Sequence, residues 1–334
     1  MAAQKKKLRW GLIGCGDVAR KRVAQAIIDD PNSTLVGACR RDETKLNEFC
    51  DHFDIEHRFT NAEKFLRLEE IDAVYIATPV EDHFGSALCA MEYGKHALVE
   101  KPMAINTEEC KTLVEQSDRT CKTLGVAYYR RFYPVYQRIK QLVDEEALGR
   151  ILSVNVIASA PMDMQPGEEG YWRVDPQQSG GGPMMDVGSH RIDLLIDLLG
   201  EPPLKVDAHC SQRSLFYGDD DVDDVETLTL IFPGGIQATL QCLFGTPVDP
   251  DVFQIIGTEG YLEATPLNDG RLTIKTAAGV KHESHPPHKN FNSPLIADFV
   301  KAVQKGHDPL IDGRSGMKVN HVMEQAYLAA KLNR

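Results

Sequence analysis

Four groups of residues have types and spacings suited to chemistry. Gly14-Cys15-Gly16-Asp17-Val18-Ala19 fits G-x-G-x-x-A, after an apolar run and before a helical one, the context in which such a loop binds a dinucleotide. The first glycine permits a tight turn, the second lets a pyrophosphate approach the backbone, and the small Ala19 lets helix and strand pack closely. The helix N-terminus then offers free N–H groups to the phosphates. Arg40-Arg41 follows the second strand-like run, where NAD enzymes usually carry Asp or Glu for the ribose hydroxyls. A guanidinium pair suits a 2′-phosphate instead, which favours NADP(H) over NAD(H); the alternative is a solvated pair with one arginine stacked on adenine. Asp42, the nearest acid, lies further along as a helix cap. Glu100-Lys101-Pro102 ends the apolar strand-like run His96–Val99, at the edge where open α/β sheets bind ligands. In GGGPMMDVGSHRID, from Gly180 to Asp193, Asp186 and His190 stand four apart and share a helix face with Asp193 near them. That spacing serves an acid–base pair, a helix-surface pair or two metal ligands.

The elements that must position these groups fall into two grammars. Strand-like runs at Leu8–Ile13, Thr34–Cys39, Ile71–Ala77, His96–Val99 and Val126–Tyr129 alternate with helical ones. The helices are Asp17–Asp30 closed by Pro31, Asp42–His52 capped by Asp42, Glu81–Tyr93 stopped by Gly94, and Thr107–Thr120 capped by Thr107. Apolar strands without alternation imply a parallel sheet covered on both faces. After Ala127 the pattern changes. Helices are expected at Pro134–Glu146, Met184–Leu199, Ser293–Lys305 and Gly316–Leu332. Strands are expected at Ile151–Ser159, Val225–Phe232, Ile236–Phe244, Val252–Ile256 and Tyr261–Ala264, with Gly234-Gly235 as a hairpin turn. Strands so close in sequence suggest an antiparallel sheet. The expected domains are 1–127 and 128–334, with the C-terminal helices free to pack back on the first.

A chain of 334 residues exceeds one ordinary core, which agrees with two domains. Apolar residues at 42% and charged residues at 26% describe an ordinary globular chain, and no run approaches the roughly 20 apolar residues of a membrane span. A formal charge of −12 opposes nucleic-acid binding. The eight cysteines form no C-x-x-C pair and read as reduced thiols rather than a zinc cluster. The basic start runs into an apolar stretch too short and glycine-broken for an export signal, so a cytoplasmic protein is expected. No metal is expected either: the acidic run Asp219–Asp224 reads as a solvated loop, and His282, His285 and His288, interrupted by Pro286-Pro287, as a mobile one.

Taken together, these motifs resemble the Gfo/Idh/MocA oxidoreductases, named for glucose–fructose oxidoreductase, inositol dehydrogenase and a rhizopine-catabolism protein. The resemblance runs over essentially the whole chain. It includes the glycine loop, ATPVEDH from Ala77 to His83, GKHALVEKP from Gly94 to Pro102, YYRRF from Tyr128 to Phe132, Tyr171-Trp172-Arg173, the glycine run to His190, GTEGYLEA from Gly257 to Ala264, and PLIADF from Pro294.

The resemblance implies an N-terminal Rossmann domain and a C-terminal α/β domain with a large, mostly antiparallel open sheet, through which members form homodimers or homotetramers. It implies catalysis by Lys101, Asp186 and His190, and a cis Lys101–Pro102 bond. The cofactor is expected at Gly14, Gly16, Asp17, Val18, Ala19, Arg40, Arg41, Thr78, Pro79, His83, Glu100 and Lys101, with His83 lining the nicotinamide end. A sugar or polyol is expected at Lys101, Tyr129, Arg130, Trp172, Arg173, Asp186 and His190; Arg130, Arg131 and Arg173 suit an anionic substrate. The implied reaction is hydride transfer between the nicotinamide and a sugar, polyol or oxo-sugar carbon. A redox-neutral glycosidase and a non-catalytic nucleotide-sensing regulator are the alternatives on the same fold. The export signal of the periplasmic members is a departure.

Overall fold

The computed structural model describes residues 7–332 other than 163, 165, 166, 169, 214–221 and 249, so Asp219, Asp220 and Asp221 of the acidic run lie outside the described residues. The chain divides into two compact units. One comprises Met1–Tyr129 with Asn290–Met317, the other Arg130–Lys289 with Lys318–Arg334.

In the first unit the unalternated apolar runs become a parallel sheet. Its strands are β1 (Leu8–Ile13), β2 (Ser33–Cys39), β3 (His57–Phe59), β4 (Ala73–Ile76), β5 (His96–Val99) and β6 (Leu124–Val126), in the order β3-β2-β1-β4-β5-β6. The central strands are buried, fully in β4 and at every residue but Arg9 in β1. Trp10 is fully buried and donates its indole N–H to Ser33 Oγ at 3.1 Å. The connecting helices are α1 (Ala24–Asp29), α2 (Glu43–Phe53), α3 (Ala62–Leu66), α4 (His83–Glu92) and α5 (Thr107–Thr120). Asp42 caps α2 as expected, accepting from Lys45 N. The cap of α5 is Asn106, not Thr107: Asn106 has extended backbone angles and accepts from Glu109 N at 2.8 Å, while Thr107 is already helical. The last strand ends at Val126 because Tyr129 already turns in a 3₁₀ segment, Tyr129–Phe132. β3 and α3 are too short and too charged to have shown a pattern.

The second unit is built on an eight-stranded sheet. Its strands are β7 (Ile151–Ala160), β8 (Lys205–Ser211), β9 (Val225–Ile231), β10 (Gln237–Phe244), β11 (Val252–Gly257), β12 (Gly260–Ala264), β13 (Arg271–Thr276) and β14 (Gly279–Ser284), ordered β14-β13-β12-β11-β7-β10-β9-β8. All pairs are antiparallel except β7 with β10. Gly234 and Gly235 take the positive φ values that turn β9 into β10. One face is apolar and buried, through Val154, Val156, Leu228, Leu230, Leu240 and Phe253. The residues that alternate with them carry a polar ladder. Thr239 Oγ1 donates to Asn155 Oδ1 at 2.9 Å, Asn155 Nδ2 to Gln254 Oε1 at 3.1 Å, and Gln254 Nε2 to Glu263 Oε2 at 3.1 Å. Helices α6 (Pro134–Asp144), α7 (Pro176–Ser179) and α8 (Ser189–Leu199) belong to this unit; α9 (Ser293–Lys305) belongs to the first, and α10 (Gly313–Leu332) is divided at 317/318. No helix among the described residues is long and apolar enough to cross a membrane.

His96, at the start of β5, makes the first unit sensitive to acid. Its Nδ1 accepts the Thr123 N–H at 2.9 Å, so the ring must be neutral there. Burial, with the Lys122 charge, lowers its pKa to about 4 from 6.5. The unfolded chain therefore binds the proton more readily, and the stabilisation is complete above pH 6.5 and lost as pH falls toward 4. We expect this group to remove about 3 kcal/mol from the unfolding free energy across that window. His96→Asn, which keeps an acceptor but cannot titrate, should flatten that part of the profile in urea unfolding followed from pH 4 to 8.

Candidate active site

The glycine loop is held from three sides within the first unit. Gly14 has φ +90°, and a Cβ there would lie 2.6 Å from the carbonyl carbon and oxygen of Ala77 and 2.7 Å from Thr78 N, so only glycine fits against the end of β4. Its N–H donates to Cys39 O at 2.9 Å. Arg40 Nη1 donates to Cys15 O, which lays the guanidinium along the loop. Ala19 is fully buried and begins a π-helical turn, Ala19–Val23. Val18 is half-buried, and Asp17 is exposed and paired with Lys21 at 2.9 Å. Arg41 is exposed, 3.5 Å from Asp82. No carboxylate stands at the end of β2, since Asp42 is committed to its cap.

At the end of β4, the buried Thr78 Oγ1 has no hydrogen-bond partner among the described residues; Pro79 then leads into the 3₁₀ turn Val80–Asp82. An unsatisfied hydroxyl beside a glycine cradle at the C-terminal sheet edge fits a dinucleotide's need for backbone approach and polar partners. His83 does not line that surface. It is buried, with Nδ1 2.9 Å from Pro102 O and Nε2 3.0 Å from Thr78 O, and so straps the Glu-Lys-Pro turn to the end of β4. Burial lowers its pKa.

The Lys101–Pro102 bond is cis, and Lys101 is half-buried. Glu100 is buried with both oxygens engaged: Oε1 accepts from Tyr75 OH at 2.7 Å, and Oε2 from Lys101 N at 3.2 Å. Tyr75 OH in turn accepts from Asn292 Nδ2 at 3.1 Å, and Asn290 Nδ2 donates to Arg22 O at 2.8 Å. Arg22 donates to Tyr129 OH at 3.2 Å and lies over the Tyr129 and Phe291 rings, which stack at 6.1 Å. Thus Tyr129 is nearly buried in a first-unit seam. Tyr75, Asn290, Asn292 and Arg22 escaped the sequence reading. Only Tyr75 left a trace there, as the single polar tip in the apolar run IDAVYIA.

In the second unit, Asp186 lies in a π-helical segment, Met184–Gly188, that runs into α8 carrying the buried His190. The helix expected from Met184 is present, but its wider first turn offsets Asp186 from the simple α-helical face implied by a spacing of four. Arg173 Nε stands 3.8 Å from Asp186 Oδ2, and its guanidinium lies 4.7 Å from the Trp172 ring centroid. Trp172, Arg173 and Asp186 are therefore brought together.

Asp193 is not part of this group. It is fully buried and grips Arg131, with contacts of 2.6 to 3.1 Å, while Asp197 holds the same guanidinium at 3.1 Å. Arg131 is thus unavailable to an anionic substrate, because its charge is already neutralised within the core. Arg130 donates to Asn268 and covers the Tyr133 ring. His282, His285 and His288 meet three different partners, Thr273, Glu283 and the Phe132 carbonyl. None of the eight cysteines forms a disulfide.

The oxidoreductase-family model with an NAD-binding Rossmann fold matches residues 8–128, and the Gfo/Idh/MocA C-terminal domain model matches 136–263. The chain belongs to the Gfo/Idh/MocA oxidoreductase family. It is 34% identical to Oxidoreductase P35 of Formosa agariphila, over 95% of this chain and 98% of that one. It is 26% identical to D-xylose 1-dehydrogenase (NADP(+)) 2 of Haloferax volcanii, over 97% and 98%. Among solved structures, levoglucosan dehydrogenase in complex with NADH and levoglucosan superposes with a TM-score of 0.88 at 23% identity, covering 98% of each chain. As a member of this family the protein is an oxidoreductase, and its first unit is the NAD(P)-binding Rossmann domain.

Tyr75→Phe would leave one Glu100 oxygen and the Asn292 amide unpaired. We expect it to destabilise the first unit by about 1–3 kcal/mol. Urea unfolding followed by Trp10 fluorescence, in a Trp172→Phe background, checks this.

Proposed function

We propose that the protein is an NADP(H)-dependent oxidoreductase that transfers a hydride between the nicotinamide and a carbon of a sugar, polyol or oxo-sugar. The observation that carries the cofactor preference is the end of β2. Arg40 lies along the glycine loop, Arg41 is exposed beside it, and no carboxylate is available for a ribose 2′-hydroxyl. The similar proteins include both an NADP(+) dehydrogenase by name and a structure complexed with NADH, so the reading is supported by the arginines alone. The sugar class is supported by the names of these relatives and by the Trp172–Arg173–Asp186 group. An aromatic face beside an arginine and a carboxylate suits the C–H face and hydroxyls of a polyol.

The nicotinamide supplies the hydride acceptor or donor. His190 takes the hydroxyl proton during oxidation and returns it during reduction. Asp186 binds a neighbouring hydroxyl and holds Arg173 on Trp172. Lys101 donates a hydrogen bond to the reacting oxygen and stabilises its developing charge. Glu100 and His83 fix the turn from which Lys101 projects. Tyr129 and Arg130, both engaged with protein partners, complete the proposed substrate-binding set. We further propose a cytoplasmic enzyme, consistent with eight cysteines that form no disulfide, that forms a homodimer or homotetramer through the polar-ladder face of its large sheet.

The test follows nicotinamide absorbance with both cofactors over aldoses, inositols, anhydro-sugars and oxo-sugars. Turnover with NADP(H) on one class is the expected result; absence of net turnover on all of them would overturn it. Arg40→Ala should reduce kcat/KM for NADP(H) at least about tenfold while barely changing it for NAD(H). Lys101→Ala and His190→Ala should each lower kcat by about 10²–10⁴-fold with cofactor affinity retained. Near-normal turnover in either variant would remove that residue from the mechanism.

A further inference from the structure

The helix that carries Asp186 and His190 has no cap of its own. It is preceded by Gly182-Pro183 and makes no side-chain cap hydrogen bond, although the first N–H groups of any helix need acceptors. Gly182 O takes the N–H groups of Met185 and Asp186 at 3.1 and 3.4 Å, but the Met184 N–H precedes both. That N–H donates to Glu226 Oε2, from β9. The Tyr327 hydroxyl, from α10, lies close enough to the same carboxyl for the two to influence each other electrostatically. Gly182 N–H donates to the Tyr327 oxygen at 3.1 Å. Two neighbouring entry points of the helix are therefore held from outside, one by the buried Glu226 carboxyl and one by the half-buried Tyr327 phenol.

The glycines obey the same constraint. A Cβ at Gly181 would strike the Tyr327 hydroxyl, one at Gly182 the Asp223 carbonyl, and one at Gly188 the Cys242 sulfur at 2.6 Å. Gly181 and Gly182 are thus explained by close docking on α10 and on the segment leading into β9, while Gly180 ends α7 with φ +79°. Cys210, Glu226 and Cys242 are cross-strand neighbours on β8, β9 and β10, so Glu226 occupies the middle of an otherwise apolar face.

We propose that Glu226 and Tyr327 are positioning residues that cap the Met184–Leu199 helix from outside and hold its π-helical first turn, and with it Asp186 and His190, in the reactive placement. The inference rests on the proposed roles of Asp186 and His190. A side-chain oxygen that accepts one of the first N–H groups of a helix is the favourable arrangement, and π-type turns are common where a side chain must be set off the regular face. Burial pushes the Glu226 carboxyl up to about 8, so near neutral pH it is an uncharged acceptor that glutamine reproduces.

Amide hydrogen exchange by mass spectrometry on the full chain reads the placement, and steady-state kinetics reads its use. Glu226→Leu should raise exchange across 184–190 about tenfold or more and lower kcat about 100-fold, with cofactor affinity unchanged. Glu226→Gln should stay within about threefold of the parent in both readings, because it keeps the acceptor. Tyr327→Phe, a milder change that guards against a Leu variant that does not fold, should raise exchange at 182–184 and lower kcat about tenfold.

Unchanged exchange in Glu226→Leu and Tyr327→Phe overturns the cap. Raised exchange with unchanged turnover overturns its part in catalysis, whereas failure of the His190 reading itself would show as near-normal turnover in His190→Ala. Cys210, Asp223 and Glu226 bring ligand-type atoms within 4.8 Å of one another. A stoichiometric zinc ion in the purified protein that Glu226→Gln loses would therefore make Glu226 a ligand and overturn the proposal too.

Discussion

A carboxylate buried at the end of a parallel sheet must find donors, and in this protein that requirement organises the first unit. Glu100 precedes the lysine of the Glu-Lys-Pro turn, and one of its oxygens is met by that lysine's own backbone N–H. The other oxygen needs Tyr75 from the neighbouring strand, and Tyr75 needs Asn292 from a segment 217 residues further along. An unpaired partner anywhere in this chain would leave a desolvated polar group. The 290–292 segment therefore belongs to the first unit although it comes after all the strands of the second. The lysine is set by that satisfaction from behind and by the His83 strap from the side.

The second unit meets a related constraint at a helix end. A run of three glycines has no side chains with which to cap the Met184–Leu199 helix, and it gains in exchange the closest possible docking against β9 and α10. The Met184 and Gly182 N–H groups at the helix entry are then satisfied by Glu226 and Tyr327, while Gly182 O takes those of Met185 and Asp186. Nearby, the buried Arg131–Asp193–Asp197 cluster shows the opposite economy of charge. Three ionised side chains are removed from chemistry altogether, because a guanidinium in the core must keep its partners. Sequence proximity to a reactive pair therefore says little about membership in the site. Asp193 is three residues from His190 and serves the fold, while Arg173 is thirteen from Asp186 and touches it.

Much of this protein was legible in its residues alone. The strand–helix alternation up to Ala127 fixes a parallel sheet, because unbroken apolar runs must be covered on both faces. The glycine loop declares its turn, since no other residue tolerates the Gly14 backbone beside Ala77. Arg40-Arg41, Lys101-Pro102, Asp186 and His190 could be named from type and spacing, and the motifs together placed the chain in its family. Local chemistry of this kind is written in consecutive residues.

Only the tertiary structure decided the partnerships. It chose Asn106 over Thr107 as a cap through backbone angles. It withdrew Arg131 and Asp193 into the core, turned His83 inward, and recruited Tyr75, Asn292, Glu226 and Tyr327 to support the named residues. The first turn of the Asp186 helix became π-helical rather than α-helical, a difference of one residue per turn that periodicity does not resolve. The physical reason is common to all of these. A hydrogen bond or ion pair between residues far apart in the chain depends on which elements the fold brings side by side. A sequence specifies the capacity of each side chain to donate, accept or carry charge, and leaves to packing the question of which capacity is spent on the fold and which remains for the substrate.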